Sequence, residues 1–234
     1  MRIDILTLFP EMFAGVLQNS IIKRAADKKL VAYHLHQLRD YSKDPHHRVD
    51  DRPFGGGPGM VLMCQPVLDA VAGIEALDDR PSRQVLLCPQ GRAFNQALAK
   101  ELAAMPRLML IAGHYEGFDE RIRETLNPLE LSIGDYVLSG GEIPAMAVMD
   151  AVVRLIPGVL GDQTSADGES FANNDPAIAG GLEYPQYTRP REFAGRSVPE
   201  VLLSGDHAEI LRWRTAESRR RTRQRRPDLL GPEI

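Results

Sequence analysis

Residues 131–148 read LSIGDYVLSGGEIPAMAV. A short apolar strand runs out at Ile133, a loop almost without bulk follows, and an apolar helix opens at Glu142 with Pro144 in its first turn. The same pattern occurs twice upstream. Gln84–Cys88 reads as a strand ending in CPQGR (88–92), and Arg107–Gly113 as a strand ending in AGHYEGFDE (112–120), with helices expected over Phe94–Ala104 and Asp119–Leu126. The third strand is Leu129–Ile133, and its helix is expected to run from Glu142 to Ile156, where Pro157 stops it. Alternating strands and helices predict an α/β fold with a parallel sheet covered by helices. In such sheets ligands bind beyond the carboxyl ends of the strands, so three adjacent glycine-bearing loops there predict a shared pocket.

The chemistry of that pocket is narrowed by what it lacks. LSGGE (138–142) is also a signature string of transporter-type ATPases, but a phosphate loop needs GxxxxGK[ST], and the chain contains no Gly-Lys pair. The dinucleotide fingerprint GxGxxG after the first strand and the nucleophile elbow GxSxG are missing as well. What the loops offer is bare N–H and C=O groups with few charges. That suits the edge of a purine and a small zwitterion better than a triphosphate, with Glu116 and Asp135 available for an ammonium or a ribose. Tight turns at strand ends would produce the same glycines without any ligand.

Outside this region, Arg2–Phe9 reads as a strand entering the core, and Pro10 and Glu11 as a helix start. In Val31–Leu38, Val31, Tyr33 and Leu35 alternate with His34 and His36, as half-exposed histidines on a second strand would. The stretch YSKDPHHRVDDRPFGGGPGMV (41–61) reads as a long loop, and long loops tend to be functional. Arg154 follows Asp150 by four residues on an otherwise apolar helix. An i,i+4 ion pair would account for both, but a lone charged pair on a buried helix also suits a site.

The chain has 234 residues, 43% of them hydrophobic, enough for one large or two modest domains. No apolar run approaches the roughly 20 residues needed to span a bilayer, and the N-terminal MRIDILTLFPEMF lacks the character of an export signal. Cys64 and Cys88, the only cysteines, have no CxxC spacing, which points to a reducing cytoplasm and away from structural zinc. The formal charge of −4 hides an asymmetry: eight arginines lie between Arg212 and Arg226 with only Glu217 among them. Without that segment 20 basic residues face 31 acidic ones, about −11. An arginine-rich end suits a polyanionic partner, although a solvated helix face reads the same way. Ser197 with Glu200, and Asp206 with Glu209, suggest capping boxes. The second would open a helix running through Arg226 and anchored by Ile210, Leu211 and Trp213.

RPFGGGPGMV, PQGR, AGHYEGFDER, SIGDYVLSGGE, PGVLG and YPQYTRP, in this order over residues 52–190, with DILTLFPEMF at the start, resemble the bacterial tRNA (guanine-N1)-methyltransferases of the knotted SPOUT class. The resemblance implies a deep trefoil knot in a catalytic domain (1–160), an interdomain linker (161–182), and a small helical tRNA-binding domain (183–234). It implies S-adenosylmethionine bound by Leu87, Pro89 and Gly91, then by Gly113, Tyr115, Glu116 and Gly117. From the third loop it implies Ser132, Ile133, Gly134, Asp135, Tyr136, Val137, Leu138, Gly140, Gly141 and Pro144. The implied reaction is methylation of N1 of the guanosine immediately 3′ of the anticodon (position 37), by a cytoplasmic homodimer with its active site at the subunit interface.

Where the family carries an aspartate as general base, this chain has Glu169, in Glu169-Ser170-Phe171, and Arg154 matches the arginine expected to stabilise charge on O6. Asp50, Arg52, Ser165 and Ser170 match positions that hold the target base and its neighbour, and Arg219, Arg220 and Arg221 fall on the RNA-facing end. A loosely held Mg2+ is implied without any metal cluster in the sequence. The segment ANNDPAIAGG (172–181) is longer than the family pattern. The alternative to the enzyme is a non-catalytic RNA-binding protein of the same fold.

Overall fold

The computed structural model describes residues 1–161, 169–171, 178 and 180–230. The chain divides into two compact units, residues 1–161 and 162–234.

Five strands of the first unit, β1 (Arg2–Thr7), β2 (Ala32–Gln37), β5 (Arg83–Ala93), β6 (Arg107–Ala112) and β7 (Leu129–Ser132), form one parallel sheet in the order β2-β1-β6-β5-β7. Between β2 and β5 the two-residue strands β3 (Asp50–Asp51) and β4 (Val61–Leu62) make a small antiparallel pair within the expected long loop. The central strand β6, RLMLIA, is buried at every position, as a parallel strand covered on both faces must be. Its alternate residues serve two cores. Leu108 and Leu110 pack on the side of α2 (Ser20–Asp27), α4 (Gln96–Ala103) and α6 (Glu142–Val153), whereas Met109 and Ile111 pack on the side of α3 (Cys64–Glu75) and α5 (Glu120–Leu126).

The expected strands and helices of the middle region are present, and the differences have local causes. α6 ends at Val153 because Leu155 and Ile156 donate to carbonyls three residues back, tightening the chain before Pro157. β5 runs on past Cys88: its register against β7 jumps between Leu87 and Arg92, so residues 88–91 loop out and the strand rejoins β7 at Leu131 and Ser132. The start after Pro10 is a 3₁₀ turn (Pro10–Phe13) leading into the short α1 (Ala14–Leu17). The helices α2 and α3 are not expected from the sequence.

At the amino ends of the strands lies a buried ionic cluster. The Asp4 carboxylate accepts from Arg107 Nε at 2.9 Å and Arg2 Nη2 at 2.8 Å, and His36 Nε2 lies 2.8 Å from it. The Arg107 guanidinium also reaches the carbonyls of Ile74, Asp78 and Arg80, so a fully buried cation closes the turns after α3. His36 therefore serves this network. Among the described residues no helix is long and apolar enough to cross a membrane.

In the second unit, the hairpin β8 (Glu192–Phe193) and β9 (Arg196–Ser197) precedes a 3₁₀ turn (Glu200–Leu203) and the long α7 (His207–Arg225). Asp206 caps α7 as expected, accepting from Ala208 N at 2.9 Å and Glu209 N at 3.1 Å. The Ser197–Glu200 box does not form. Ser197 belongs to the hairpin, and the Glu200 carboxylate is taken by Arg191. The anchoring of α7 also differs from expectation. Leu211 is exposed, while Ile210, Arg214, Ser218 and Thr222, at spacings of four, form the inward stripe.

Burial alone would push the Asp4 carboxyl up, yet hydrogen bonds from His36, Arg2 and Arg107 outweigh it and hold the group well below the usual carboxylate range. Its stabilising contribution is present above the unfolded-state pKa and is lost as pH falls toward the folded one. Asp4→Asn is expected to cost about 3–5 kcal/mol and to flatten the acid side of the stability profile, measured by urea unfolding between pH 3 and 7. An unchanged acid limb would place the acid-sensitive group elsewhere.

Candidate active site

Beyond the carboxyl ends of β5, β6 and β7, the three loops meet around a cavity of about 370 Å³, within the usual range for a small-molecule site. It is lined by Leu87 to Gln90 from the first loop, Gly113 to Phe118 from the second, and Leu131 to Gly134 with Tyr136 to Gly141 from the third, closed by Pro144 and Arg123. Closeness of backbones builds this site. Gly141 N donates to Gly113 O at 2.7 Å, and a Cβ on Gly141 would lie 2.7 Å from Gly113 N and 2.8 Å from Ala112 Cα. No side chain fits there. A Cβ on Gly91 would likewise run into the backbone of Leu131, which is why β5 can rejoin β7 only through a glycine.

The third loop is held from within and from below. Gly134 N donates to Ser132 Oγ at 3.3 Å, and Tyr136 OH donates to Ile133 O at 3.4 Å. Underneath, the buried Glu142 accepts from Thr7 Oγ1 at 2.7 Å, and His114 Nε2 stands 3.9 Å from the same carboxylate. Thr7 Oγ1 in turn accepts from Phe9 N at 3.0 Å, and the Phe9 and His114 rings sit 5.1 Å apart. One buried carboxylate thus ties the end of β1, the second loop and the start of α6. From the sequence Glu142 reads only as a helix start; an acid in the first turn after two glycines is the one available signal.

The cation on the wall is already committed. Arg123 donates to Glu130 at 2.9 Å and to Glu120 at 3.0 Å. Burial, then the hydrogen bond to Glu130 and the charge of that carboxylate, push the Cys88 thiol up, so it presents no thiolate. Among the described residues the one lining carboxylate, Glu116, lies against Gly59, and its backbone N donates to Met60 O at 3.0 Å. A cavity of bare amides and carbonyls, aromatic rims at Tyr115 and Tyr136, and one committed cation suits an uncharged ring and a small zwitterion; nothing there would hold a triphosphate.

Every residue expected for a cofactor lines this cavity except Gly91, which stands behind the wall, and Asp135, which is exposed at the loop tip. Cys88, Gln90, His114, Phe118, Leu131 and Ser139, from the expected loop stretches but not singled out for the cofactor, also line it, as does Arg123 from outside them. The pair β3 and β4 is stitched to the second loop, Leu62 N donating to Gly117 O at 2.9 Å and Asp119 N to Leu62 O at 3.0 Å. That brings in the loop carrying Asp50, half-buried, and Arg52, exposed. Arg154 caps the end of α6, its backbone N donating to Asp150 O at 3.2 Å.

Glu169 and Ser170 belong to the second unit, and Ser165 lies outside the described residues. Ser170 Oγ accepts from Glu183 N at 3.0 Å, Phe171 N donates to Gly181 O at 2.8 Å, and the Arg226 guanidinium sits over the Phe171 ring. Of the three arginines expected on the RNA side, Arg219 is exposed, Arg220 is paired with Glu217, and Arg221 is half-buried. Among the described residues no group of three or more His, Cys, Asp and Glu is arranged to hold a metal.

A parallel α/β unit with this cleft at its strand ends is of the SPOUT methyltransferase class. Residues 1–232 match the family described as tRNA (Guanine-1)-methyltransferase TrmD, and the chain belongs to that family. Proteins named tRNA (guanine-N(1)-)-methyltransferase are 57% identical to it in Dehalococcoides mccartyi and in Brevibacillus brevis, each alignment covering 98% of this chain and 90% or 91% of the relative. The protein of that name from Rhodopirellula baltica is 54% identical, over 98% of this chain and 94% of its own.

Gly141→Ala should lower the stability of the first unit by about 1–3 kcal/mol, because backbone rather than a movable side chain blocks the new methyl group. Gly15→Ala, with open space around it, is the control. Equal melting temperatures for the two variants would refute the close-approach account.

Proposed function

We propose that this enzyme, a tRNA (guanine-N1)-methyltransferase, transfers the methyl group of S-adenosylmethionine to N1 of the guanosine immediately 3′ of the anticodon, working as a cytoplasmic homodimer with the site at the subunit interface. The observation that carries the reading is the phosphate-free cleft of three glycine loops in a chain matched to the family over residues 1–232. The close crossing of those loops supports a trefoil knot. The cofactor fits the donor set: backbone groups of the loops around Leu87, Gly113 and Leu138 would take the adenine and ribose, and Glu116 the ammonium. When bound, it supplies a sulfonium-activated methyl group. A magnesium ion would need oxygens from the substrates to complete its shell.

The protein's own residues then have two tasks. N1 of neutral guanine carries a proton, and the Glu169 carboxylate accepts it as the new N–C bond forms. The electrons left behind spread to O6, where the Arg154 guanidinium, held at the end of a rigid buried helix, offsets the growing charge. Glu169 is presented by a segment that Ser170 and Phe171 fasten to residues 181–183, so its position does not depend on a free loop. Asp50 and Arg52 hold the target base and its neighbour, together with Ser165 and Ser170.

Glu169→Gln is expected to bind S-adenosylmethionine with unchanged affinity by calorimetry, while labelled methyl transfer to a tRNA transcript falls about 10²–10⁴-fold. Transfer at a near wild-type rate would mean that the base is another group, and nuclease mapping of the methylated base tests the position. Replacing Arg219, Arg220 and Arg221 by Ser should weaken tRNA binding and reduce its salt slope by roughly 0.7–0.9 for each phosphate no longer neutralised, with cofactor affinity unaltered. An unchanged salt slope would move the RNA surface away from α7.

A further inference from the structure

The second unit contains a cavity of its own, about 560 Å³, lined by residues of the segment from Tyr184 to Arg191, by Val198, by the 3₁₀ turn that follows and by the first half of α7. Its composition is unlike a structural void. Val198, Leu202 and Ile210 give it an aliphatic side, Tyr184 and Tyr187 an aromatic one, and Arg189 and Arg214 a cationic one. Arg191 is neutralised by Glu200, but among the described residues neither Arg189 nor Arg214 makes an ion pair.

Arg214 is the anomaly. It occupies the inward stripe of α7 between Ile210 and Ser218, where packing would favour an apolar residue, and its guanidinium lies 4.6 Å from the centre of the Tyr184 ring. Its Nε is buried and has no hydrogen-bond partner among the described residues. A buried donor left unmade is costly, so a structure that keeps one at the wall of an open cavity is prepared for an acceptor from outside. Two uncompensated guanidinia call for an anion, and the tyrosines and aliphatic side call for a planar ring beside it. A nucleotide joins both in one unit.

We propose that this cavity is a second RNA subsite, separate from the methylation cleft, which takes one unstacked nucleotide of the bound tRNA: its base between Tyr184 and the aliphatic side, its phosphate on Arg214 and Arg189. It rests on the tRNA reading above and deepens it. Exposed arginines farther along α7 bind phosphates of any sequence, whereas this cavity selects for a nucleotide free to leave its stack.

The test uses the full chain and a tRNA transcript carrying 4-thiouridine, cross-linked by light and mapped by peptide digestion. Cross-links are expected on the peptide holding Tyr184 and Tyr187. Arg214→Gln and, independently, Thr188→Trp, which fills the cavity from its exposed edge and leaves both arginines in place, should each weaken tRNA binding about tenfold or more. S-adenosylmethionine affinity should stay unchanged, and an unaltered far-ultraviolet circular dichroism spectrum and melting profile show that the second unit of each variant folds. The proposal falls if Thr188→Trp binds tRNA like the unsubstituted chain, or if cross-links map only to the exposed arginines of α7. It also falls if Thr188→Trp changes the oligomeric state and not RNA affinity, since the cavity would then hold a protein segment. An unsubstituted chain that binds S-adenosylmethionine but no tRNA would overturn the tRNA reading together with this one.

Discussion

Two peptide backbones in direct contact, at Gly113 and Gly141, are the constraint on which the first unit depends. The hydrogen bond between them is 2.7 Å, and a single methyl group on either glycine would meet a neighbouring group. The approach brings the end of β6 against the start of α6, in a sheet where β5 lies between β6 and β7. It also requires α6 to start immediately after the contact, so the helix that follows is aimed by the loop before it. The cleft and the placement of Arg154 at the far end of α6 are two consequences of one crossing.

Holding that crossing closed takes charge placed where water cannot screen it. Glu142 is buried directly behind Gly140 and Gly141, and its partner Thr7 sits at the end of β1, on the far side of β6. At the other end of the same strands, Asp4 and Arg107 tie β1 to β6 and to the turns after α3. A buried carboxylate without a partner would be expensive, so both pairs make the order of the strands specific: slipping β1 by one residue would strand Asp4 and Thr7 on the wrong faces.

The sheet and its three loops are legible in the sequence because alternation of apolar strands and helices is periodic, and because glycine at a strand end has few uses. Other features have no periodic signal. The re-entry of β5 beyond Cys88 depends on Gly91 meeting Leu131, a contact between residues 40 apart. α2 and α3, by contrast, do carry a helical pattern, with Ile22 and Ala25 inward on one and Val67, Ala70, Val71 and Ile74 on the other. The anchoring of α7 differs from expectation for a definite reason: apolar residues are the natural anchors to look for, and the helix is held instead by two hydroxyls. Ser218 Oγ donates to Leu182 O at 2.7 Å, and Leu182 N donates to Thr222 Oγ1 at 2.8 Å. Hydropathy cannot find a hydroxyl that serves as a fastener, nor can it tell the inward Arg214 from its outward neighbours.

Those two hydroxyls connect the parts of the second unit. Leu182 is fastened to α7, Gly181 packs against Thr222, and Phe171 and Ser170 are hydrogen-bonded to residues 181 and 183. The segment bearing Glu169 is therefore continuous with the helix that carries the arginines, through the Phe171–Gly181 backbone bond and the hydroxyls of Ser170, Ser218 and Thr222. A displacement of α7 would be passed to residues 169–171 along bonds that do not stretch far before breaking. Placing a base within reach of a proton needs accuracy of a fraction of an ångström, and a loop alone does not hold that. Fastening it to a 19-residue helix does, and under the proposed reading this makes the arginine-bearing surface of α7 and the Glu169 base one mechanical element.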